Sequence, residues 1–410
     1  MAAPLPPHTA CRPSPAVAFV GRKNSGKTTL VERLIATLTA RGLSLGSIKH
    51  HGHPDFTIDV PGKDSYRHRA AGARTTAVLS RQRFALMTDL AHGMNCRDAL
   101  ALMPGHDLIV VEGFRAAGLP TIELMRTGNP RDVAAAPALI RALENGTVED
   151  PSCQPSEADP DNPTRPVGIV TDMPAVAAAA RCAQVPVFGF EEIEKLADFV
   201  EERCARKPLT IAVQAGGESR RMGQSKARTP FLGRPLIEHM LAVAAPYADE
   251  LIVTTNEPEE LSYLKTAYPA LVLARDVRPE RGALPGLLTA LEASSNELTA
   301  VIACDMIALT PRLLPLEAYE LQASGADAAV PLHEGGWEPF AGVWRTSTCA
   351  PAVEEALAHG SKRMTDLIER VACHAFDPSD FVQKDRINPF ANVNTPEELA
   401  QAEILYRLCG

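Results

Sequence analysis

The string Gly21-Arg22-Lys23-Asn24-Ser25-Gly26-Lys27-Thr28 constrains the fold more than any other in the chain. It fits G-x-x-x-x-G-K-[ST] in full, and its flanks fit as well. Val17-Ala18-Phe19-Val20 reads as an apolar strand, and Leu30, Leu34, Ile35 and Leu38 recur at helical spacing up to Gly42. Glycines let backbone N–H groups turn inward around phosphate oxygens. Gly21, Asn24, Ser25, Gly26, Lys27, Thr28 and Thr29 are the expected nucleotide contacts. Lys27 places positive charge near the β and γ phosphates, and the Thr28 hydroxyl is a magnesium ligand. A loop of this kind needs a strand before it and a helix after it, which commits the first part of the chain to a parallel α/β sheet.

At 410 residues the chain is too long for one ordinary core. Short apolar strands alternate with helical patterns throughout. The first half reads as strands at Ala16–Val20, Leu45–Lys49, Ala77–Ser80 and Leu108–Val111, then at Val167–Val170 and Val185–Phe188. The second half reads as strands at Leu209–Val213, Glu250–Thr254, Leu271–Leu273, Ala300–Ala303 and Ala328–Pro331. The expected architecture is α/β in two domains: a phosphate-loop parallel sheet over 14–206 and a second, Rossmann-like sheet over 208–410. The boundary falls at Arg206-Lys207-Pro208. Asn145 to Pro166 carries Pro151, Pro155, Pro160, Pro163 and Pro166 among polar residues. It reads as a mobile insertion interrupting the first domain, because it has little apolar surface to bury.

The net charge of −9 argues against nucleic acid as the main partner. No run of about 18 apolar residues exists to span a membrane. The stretch Met1 to Pro15 has no apolar core of a signal peptide. Nine cysteines without a C-x-x-C pair fit reduced thiols, so the expected location is the cytoplasm.

Further polar groups cluster around the first loop. Leu108-Ile109-Val110-Val111 runs into Glu112, which is placed to hold magnesium or to orient a water; a turn-capping role stays open. Lys49-His50-His51-Gly52-His53-Pro54-Asp55 is a polar loop or, with its three histidines, a metal site of unusual spacing. Lys63, Arg67 and Arg69 form either a solvated helix face or an anion-binding one. No Asn-Lys-x-Asp motif is present to read guanine. The strings at 21–28, 49–56, 61–73 and 111–115 resemble the MobB family of GTP-binding adaptors in molybdopterin guanine dinucleotide synthesis. Pro61-Gly62-Lys63-Asp64-Ser65-Tyr66-Arg67-His68-Arg69 is the specific part. The resemblance spans about 16–204 and implies a weak GTPase that assists a transferase.

The second glycine loop is Gln214-Ala215-Gly216-Gly217-Glu218-Ser219-Arg220-Arg221-Met222-Gly223-Gln224-Ser225-Lys226. Gly216 and Gly217 allow close approach to phosphates, while Arg221 and Lys226 supply charge for a triphosphate that must lose pyrophosphate. Asp305 ends an apolar run, where open α/β sheets place ligand groups, and is the expected magnesium ligand. Asn256 and Asp276 also stand at strand ends. They suit base or ribose contacts, or simply turns.

This half resembles the MobA family of molybdenum cofactor guanylyltransferases over 209–410. The carrying strings are the 216–226 loop, Phe231-Leu232-Gly233-Arg234-Pro235-Leu236-Ile237, Cys304-Asp305 and Asn392-Val393-Asn394-Thr395-Pro396-Glu397-Glu398-Leu399. The resemblance puts Gln214, Ala215, Gly216, Lys226, Asn256, Asp276 and Asp305 at GTP-contacting positions. It departs at Gln214 and Ser225, where the family has Leu and Asp, and at Gly282-Ala283-Leu284-Pro285-Gly286 in place of Gly-Pro-Leu-x-Gly. The implied reaction moves GMP from GTP to molybdopterin with Mg2+, catalysed by Lys226, Asp305 and Arg221. Lys362 and Arg363 are expected either to grip the pterin phosphate or to form a solvated turn. Molybdopterin-loading proteins and molybdoenzymes are the expected protein partners. CMP transfer to the same pterin, transfer to a sugar phosphate, and a first half that is a non-catalytic GTP switch are the alternatives.

Overall fold

The computed structural model describes residues 12–51, 58–144, 166–215, 226–276, 282–361, 363–379, 381 and 388–409. Gly216, Gly217, Arg221, His53, Asp55, Lys362 and the proline-rich stretch up to 165 lie outside them.

The first half contributes β1 (Ala16–Val20), β2 (Leu45–Lys49), β3 (Thr75–Leu79), β4 (Phe84–Thr88), β5 (Leu108–Glu112), β6 (Thr121–Met125), β7 (Gly168–Thr171) and β8 (Val187–Phe188). Six of them form one parallel sheet in the order β2-β5-β1-β6-β7-β8. β1 is buried on both faces, as a central parallel strand must be. Leu30, Leu34 and Leu38 of the helix Lys27–Ala40 pack on Val17, Phe19, Val110 and Leu124. The strand read at Ala77–Ser80 is not part of this sheet. It belongs to β3, which among the described residues pairs with β4 alone in a separate antiparallel hairpin, and Val78, Leu79, Phe84 and Leu86 are exposed there. β6 has no counterpart among the strands read from sequence, because Glu123 interrupts its apolar run.

The second half contributes β9 (Leu209–Gln214), β10 (Pro230–Phe231), β11 (Arg234–Pro235), β12 (Glu250–Thr255), β13 (Val272–Arg275), β14 (Leu298–Ala303), β15 (Ala328–His333), β16 (Gly336–Trp337), β17 (Val343–Arg345) and β18 (Cys373–Phe376). The main sheet has eight strands in the order β13-β12-β9-β14-β17-β15-β16, with β18 on β15. Its β13-β12-β9-β14 part is parallel and Rossmann-like. The rest is mixed, since β17 runs antiparallel to both β14 and β15. The chain leaves β15 through a tight hairpin, and a hairpin reverses direction. Strand order reverses between β9 and β14, and that crevice is where open α/β sheets bind ligands.

A polar seam joins the two halves. Arg12 donates to Asp249 Oδ1 at 2.9 Å and to the Pro246 carbonyl at 2.9 Å. Arg206 donates to both Asp249 oxygens at 3.1 Å. Tyr319 donates to the Pro13 carbonyl at 2.8 Å, and Gln322 to the Ala205 carbonyl at 2.9 Å. Burial pushes the Asp249 carboxyl up, but the Leu209 N–H, Arg12 and Arg206 together hold it below the ordinary aspartate value. Cys204 and Ala205 are buried, so the chain passes from one half to the other through packed residues. Burial pushes the Cys204 thiol up to about 12, which keeps it a protonated apolar group. Among the described residues no helix is long and apolar enough to cross a membrane.

Candidate functional site

The first loop follows β1, and its helix starts at Lys27. The Lys27 ammonium folds back on the loop, donating to the Gly21 and Arg22 carbonyls, each at 2.7 Å. Burial lowers its pKa, against the attraction of Glu112, Asp132 and Glu123. Thr28 Oγ1 donates to Glu112 Oε1 at 2.9 Å, and Lys49 Nζ donates to Glu112 Oε2 at 2.9 Å. Lys49 Nζ also lies 3.3 Å from Thr28 Oγ1. A cationic nitrogen thus contacts both the hydroxyl and the carboxylate that were expected to share a metal.

The loop is buttressed from behind. Asn129 Nδ2 donates to the Lys23 carbonyl at 3.1 Å and to Asp132 Oδ2 at 2.8 Å. Arg115 forms a bidentate pair with Glu123, which is only 3% exposed. Asn129, Asp132, Glu123 and Arg115 were not among the residues read as site residues. Glu123 lies inside an apolar strand and Asp132 in the first turn of the helix Pro130–Glu144, positions that do not by themselves mark a site. Among the described residues, no group of three His, Cys, Asp or Glu side chains is placed to hold a metal. His50 instead packs on the Phe114 ring, with ring centroids 4.7 Å apart.

The second site lies along the C-terminal edge of the β13-β12-β9-β14 strands. Asp276, Asn256, Gln214 with Ala215, and Asp305 follow these strands in that order. The row spans about 14 Å across three strand spacings. Thr255 and Arg275 are register partners, so Asn256 and Asp276 are neighbours. The Cys304 N–H donates to the Gln214 carbonyl at 3.1 Å, and the Ala215 N–H to the Thr254 carbonyl at 2.9 Å. Gly286 fits tightly against Gln214, where a Cβ would come within 2.8 Å of Oε1.

At the Asp305 end, Lys226 Nζ hydrogen-bonds Asp305 Oδ2 and Asn394 Oδ1, the latter at 2.8 Å. Lys226 and Asp305 are largely enclosed, with side-chain exposures of 14% and 11%. The Val393 N–H donates to the Asp305 carbonyl at 3.2 Å. Asn394, in the string 392–399, carries no site signal of its own in the sequence, and the structure brings it into the site. The helix Pro396–Cys409 explains how it is held. Glu398 Oε2 accepts from the Asn394 N–H at 2.6 Å and the Thr395 N–H at 3.2 Å, while Thr395 Oγ1 accepts from the Glu398 N–H at 3.2 Å. This is a reciprocal capping box with proline at the first helical position. Tyr406 of the same helix packs edge-on against Phe231 and His239, at 5.6 and 5.1 Å. The terminal helix is thereby fixed to the segment that follows Lys226.

Thr395→Ala should therefore cost about 1 kcal/mol of stability, seen as a melting temperature lower by about 2–4 °C. It should also weaken Asn394 as a partner of Lys226. A nucleotide-binding titration of the variant, set beside its melting curve, checks both effects.

Residues 16–143 match the family model "Molybdopterin guanine dinucleotide synthesis protein B". Residues 211–374 match that of the MobA-like NTP transferase domain. The first half is similar to the molybdopterin-guanine dinucleotide biosynthesis adapter protein of Escherichia coli, with 45% identity over 122 residues, covering 28% of this chain and 67% of that one. The second half is similar to a probable molybdenum cofactor guanylyltransferase of Carboxydothermus hydrogenoformans, with 33% identity over 194 residues, covering 46% of this chain and 92% of that one. Among solved structures, molybdopterin-guanine dinucleotide biosynthesis protein A of Archaeoglobus fulgidus aligns at 26% identity and a TM-score of 0.43, over 48% of this chain and 99% of that one.

Proposed function

Because this chain belongs to the MobB family through its first half and to the MobA family through its second, we propose that it is a bifunctional enzyme of molybdenum cofactor synthesis. Residues 208–410 transfer GMP from GTP to the phosphate of molybdopterin, releasing pyrophosphate. Residues 14–206 bind GTP, hydrolyse it slowly and assist the transfer. Molybdopterin-loading proteins and molybdoenzymes are the protein partners this role calls for, and the cytoplasm is the compartment it suits.

The observation that carries the reading is the Lys226–Asp305–Asn394 cluster at the point where strand order reverses. Asn256 and Asp276 occupy the base and ribose end of the row, and Lys226 the phosphate end. The acceptor phosphate attacks the α-phosphorus of GTP, an α-phosphorus–oxygen bond forms, and pyrophosphate leaves with the bonding pair. Lys226 stabilises the charge that develops on the phosphate oxygens. Arg221 belongs to the same glycine loop and is assigned the leaving pyrophosphate.

Asp305 and Asn394 present two oxygens to one ammonium, a donor set that also suits a hard divalent cation. Asp305 would hold Mg2+, which would add positive charge at the reacting phosphates. In the first half, Thr28 and Glu112 are the corresponding oxygens, with Lys49 as the cation between them. A nucleotide at the first loop would take the Lys27 ammonium from the Gly21 and Arg22 carbonyls.

Incubation with each nucleoside triphosphate in turn and molybdopterin, followed by mass analysis of the pterin, tests the function. A GMP adduct is expected. A CMP adduct would move the chain to the cytidylyl class, and no adduct with any triphosphate would overturn the transferase reading.

A further inference from the structure

Beyond Asp305 the C-terminal edge of the sheet continues over β17 to β15. β14 and β15 both run antiparallel to β17, so they are parallel to each other and end on the same side. β15 ends in His333, two strand positions and about 10 Å from the end of β14.

His333 is fixed on several sides. Its ring stacks on Phe390 with centroids 5.4 Å apart and planes 7° apart. Gly335 lies so close that a Cβ there would come within 2.6 Å of the ring. The Gly335 N–H donates to Nδ1 at 2.9 Å, which leaves Nε2 as the protonated nitrogen. Nε2 lies 3.0 Å from Glu338 Oε1, so it donates to that carboxylate. The Glu338 side chain is about one quarter exposed, and its backbone is anchored by an N–H bond to the Pro331 carbonyl. Phe390, the platform under His333, belongs to the same 388–394 segment that reaches Asp305 through Val393 and Lys226 through Asn394. The histidine–glutamate pair is thus built onto the reacting site, on the side of Asp305 opposite Asn256 and Asp276.

We propose that Glu338 is the specificity residue for the acceptor's ring, with His333 as its positioning residue; this rests on the transferase reading above. A pterin carries a 2-amino-4-oxo edge, which presents an N–H and an adjacent N–H2 side by side. A carboxylate accepts two such parallel hydrogen bonds, as it does from a guanidinium. GTP occupies the row from Asp276 to Asp305, the acceptor phosphate meets it at Asp305, and the acceptor ring extends over β17 to Glu338. The fixed imidazole holds the carboxylate in one orientation, so little freedom is lost on binding.

Pterin-6-carboxylate and lumazine-6-carboxylate are the probes, followed by fluorescence titration. Lumazine has an oxo group in place of the 2-amino group and cannot make the second bond. The intact chain should bind the pterin about 10–100-fold more tightly than the lumazine, the range for one charge-assisted hydrogen bond. Glu338→Gln should remove most of that difference and raise KM for molybdopterin by a similar factor, with kcat and KM for GTP little changed. His333→Ala should have a smaller effect in the same direction, recovered in part by His333→Gln, whose amide still donates. A purely structural pair would lower melting temperature and leave pterin-over-lumazine selectivity intact. If Glu338→Gln keeps that selectivity while guanylylated product still forms, the assignment of Glu338 is overturned and the transferase reading stands. If the intact chain forms no nucleotide adduct at all, the transferase reading fails, and the titration still decides whether Glu338 reads the pterin edge.

Discussion

Lys226→Ala should lower guanylyl transfer by about 10²–10³-fold, the cost of removing one preorganised electrostatic stabiliser. In the structure this ammonium contacts the Asp305 carboxylate and the Asn394 amide oxygen. Removing it leaves Asp305 enclosed without its cation, which destabilises the fold as well as the reaction. Lys226→Gln separates the two effects, since its amide still donates to Asp305 while the charge is gone. Both variants should lose transfer, and the glutamine variant should lose less melting temperature than the alanine variant. GTP hydrolysis by the first half should be untouched by either.

Lys27→Ala should do the reverse. Its ammonium sits in its own loop, on the Gly21 and Arg22 carbonyls, beside a different sheet from the one that Lys226 follows. Hydrolysis should vanish, while transfer at saturating GTP and molybdopterin falls only modestly. Single-turnover assays of both activities on the same preparations make the comparison. A Lys27→Ala chain as crippled in transfer as the Lys226 variants would mean that one composite site serves both loops, and the adaptor assignment would have to be abandoned.

Asp305→Asn carries the other large effect. Asparagine keeps the size and one oxygen acceptor for Lys226, so the buried contact survives. It loses the charge that would hold a divalent cation. Transfer should drop by at least about 10²-fold at ordinary magnesium and recover only in part as magnesium is raised. Magnesium titrations of the transfer rate, with GTP binding measured separately, report the result. Full activity at ordinary magnesium would remove Asp305 from the metal site.

Local patterns made much of this legible. The motif at 21–28 with its apolar strand and amphipathic helix required a phosphate loop on a parallel sheet, because those residue types serve no simpler structural purpose together. Likewise, Asp305 at the end of an apolar strand placed it at the ligand edge of a second sheet. The Ala77–Ser80 run does form a strand, within β3, but alternation alone does not say which sheet a strand joins, and among the described residues it pairs with β4 alone. β6 stayed hidden because Glu123 looks incompatible with a buried strand. Arg115, brought over from the preceding loop, neutralises it.

The chain by itself determined the residue types: two glycine loops, two lysines and the strand-end acids, all of them signals within a few residues. Tertiary structure alone decided the partnerships. Lys226 meets Asp305 across 79 residues of sequence and Asn394 across 168. Thr28 meets Glu112 across 84 residues, and Arg12 reaches Asp249 across 237. Strand order and crossover direction create these contacts, and both depend on packing over the whole sheet. No local window of sequence contains that information.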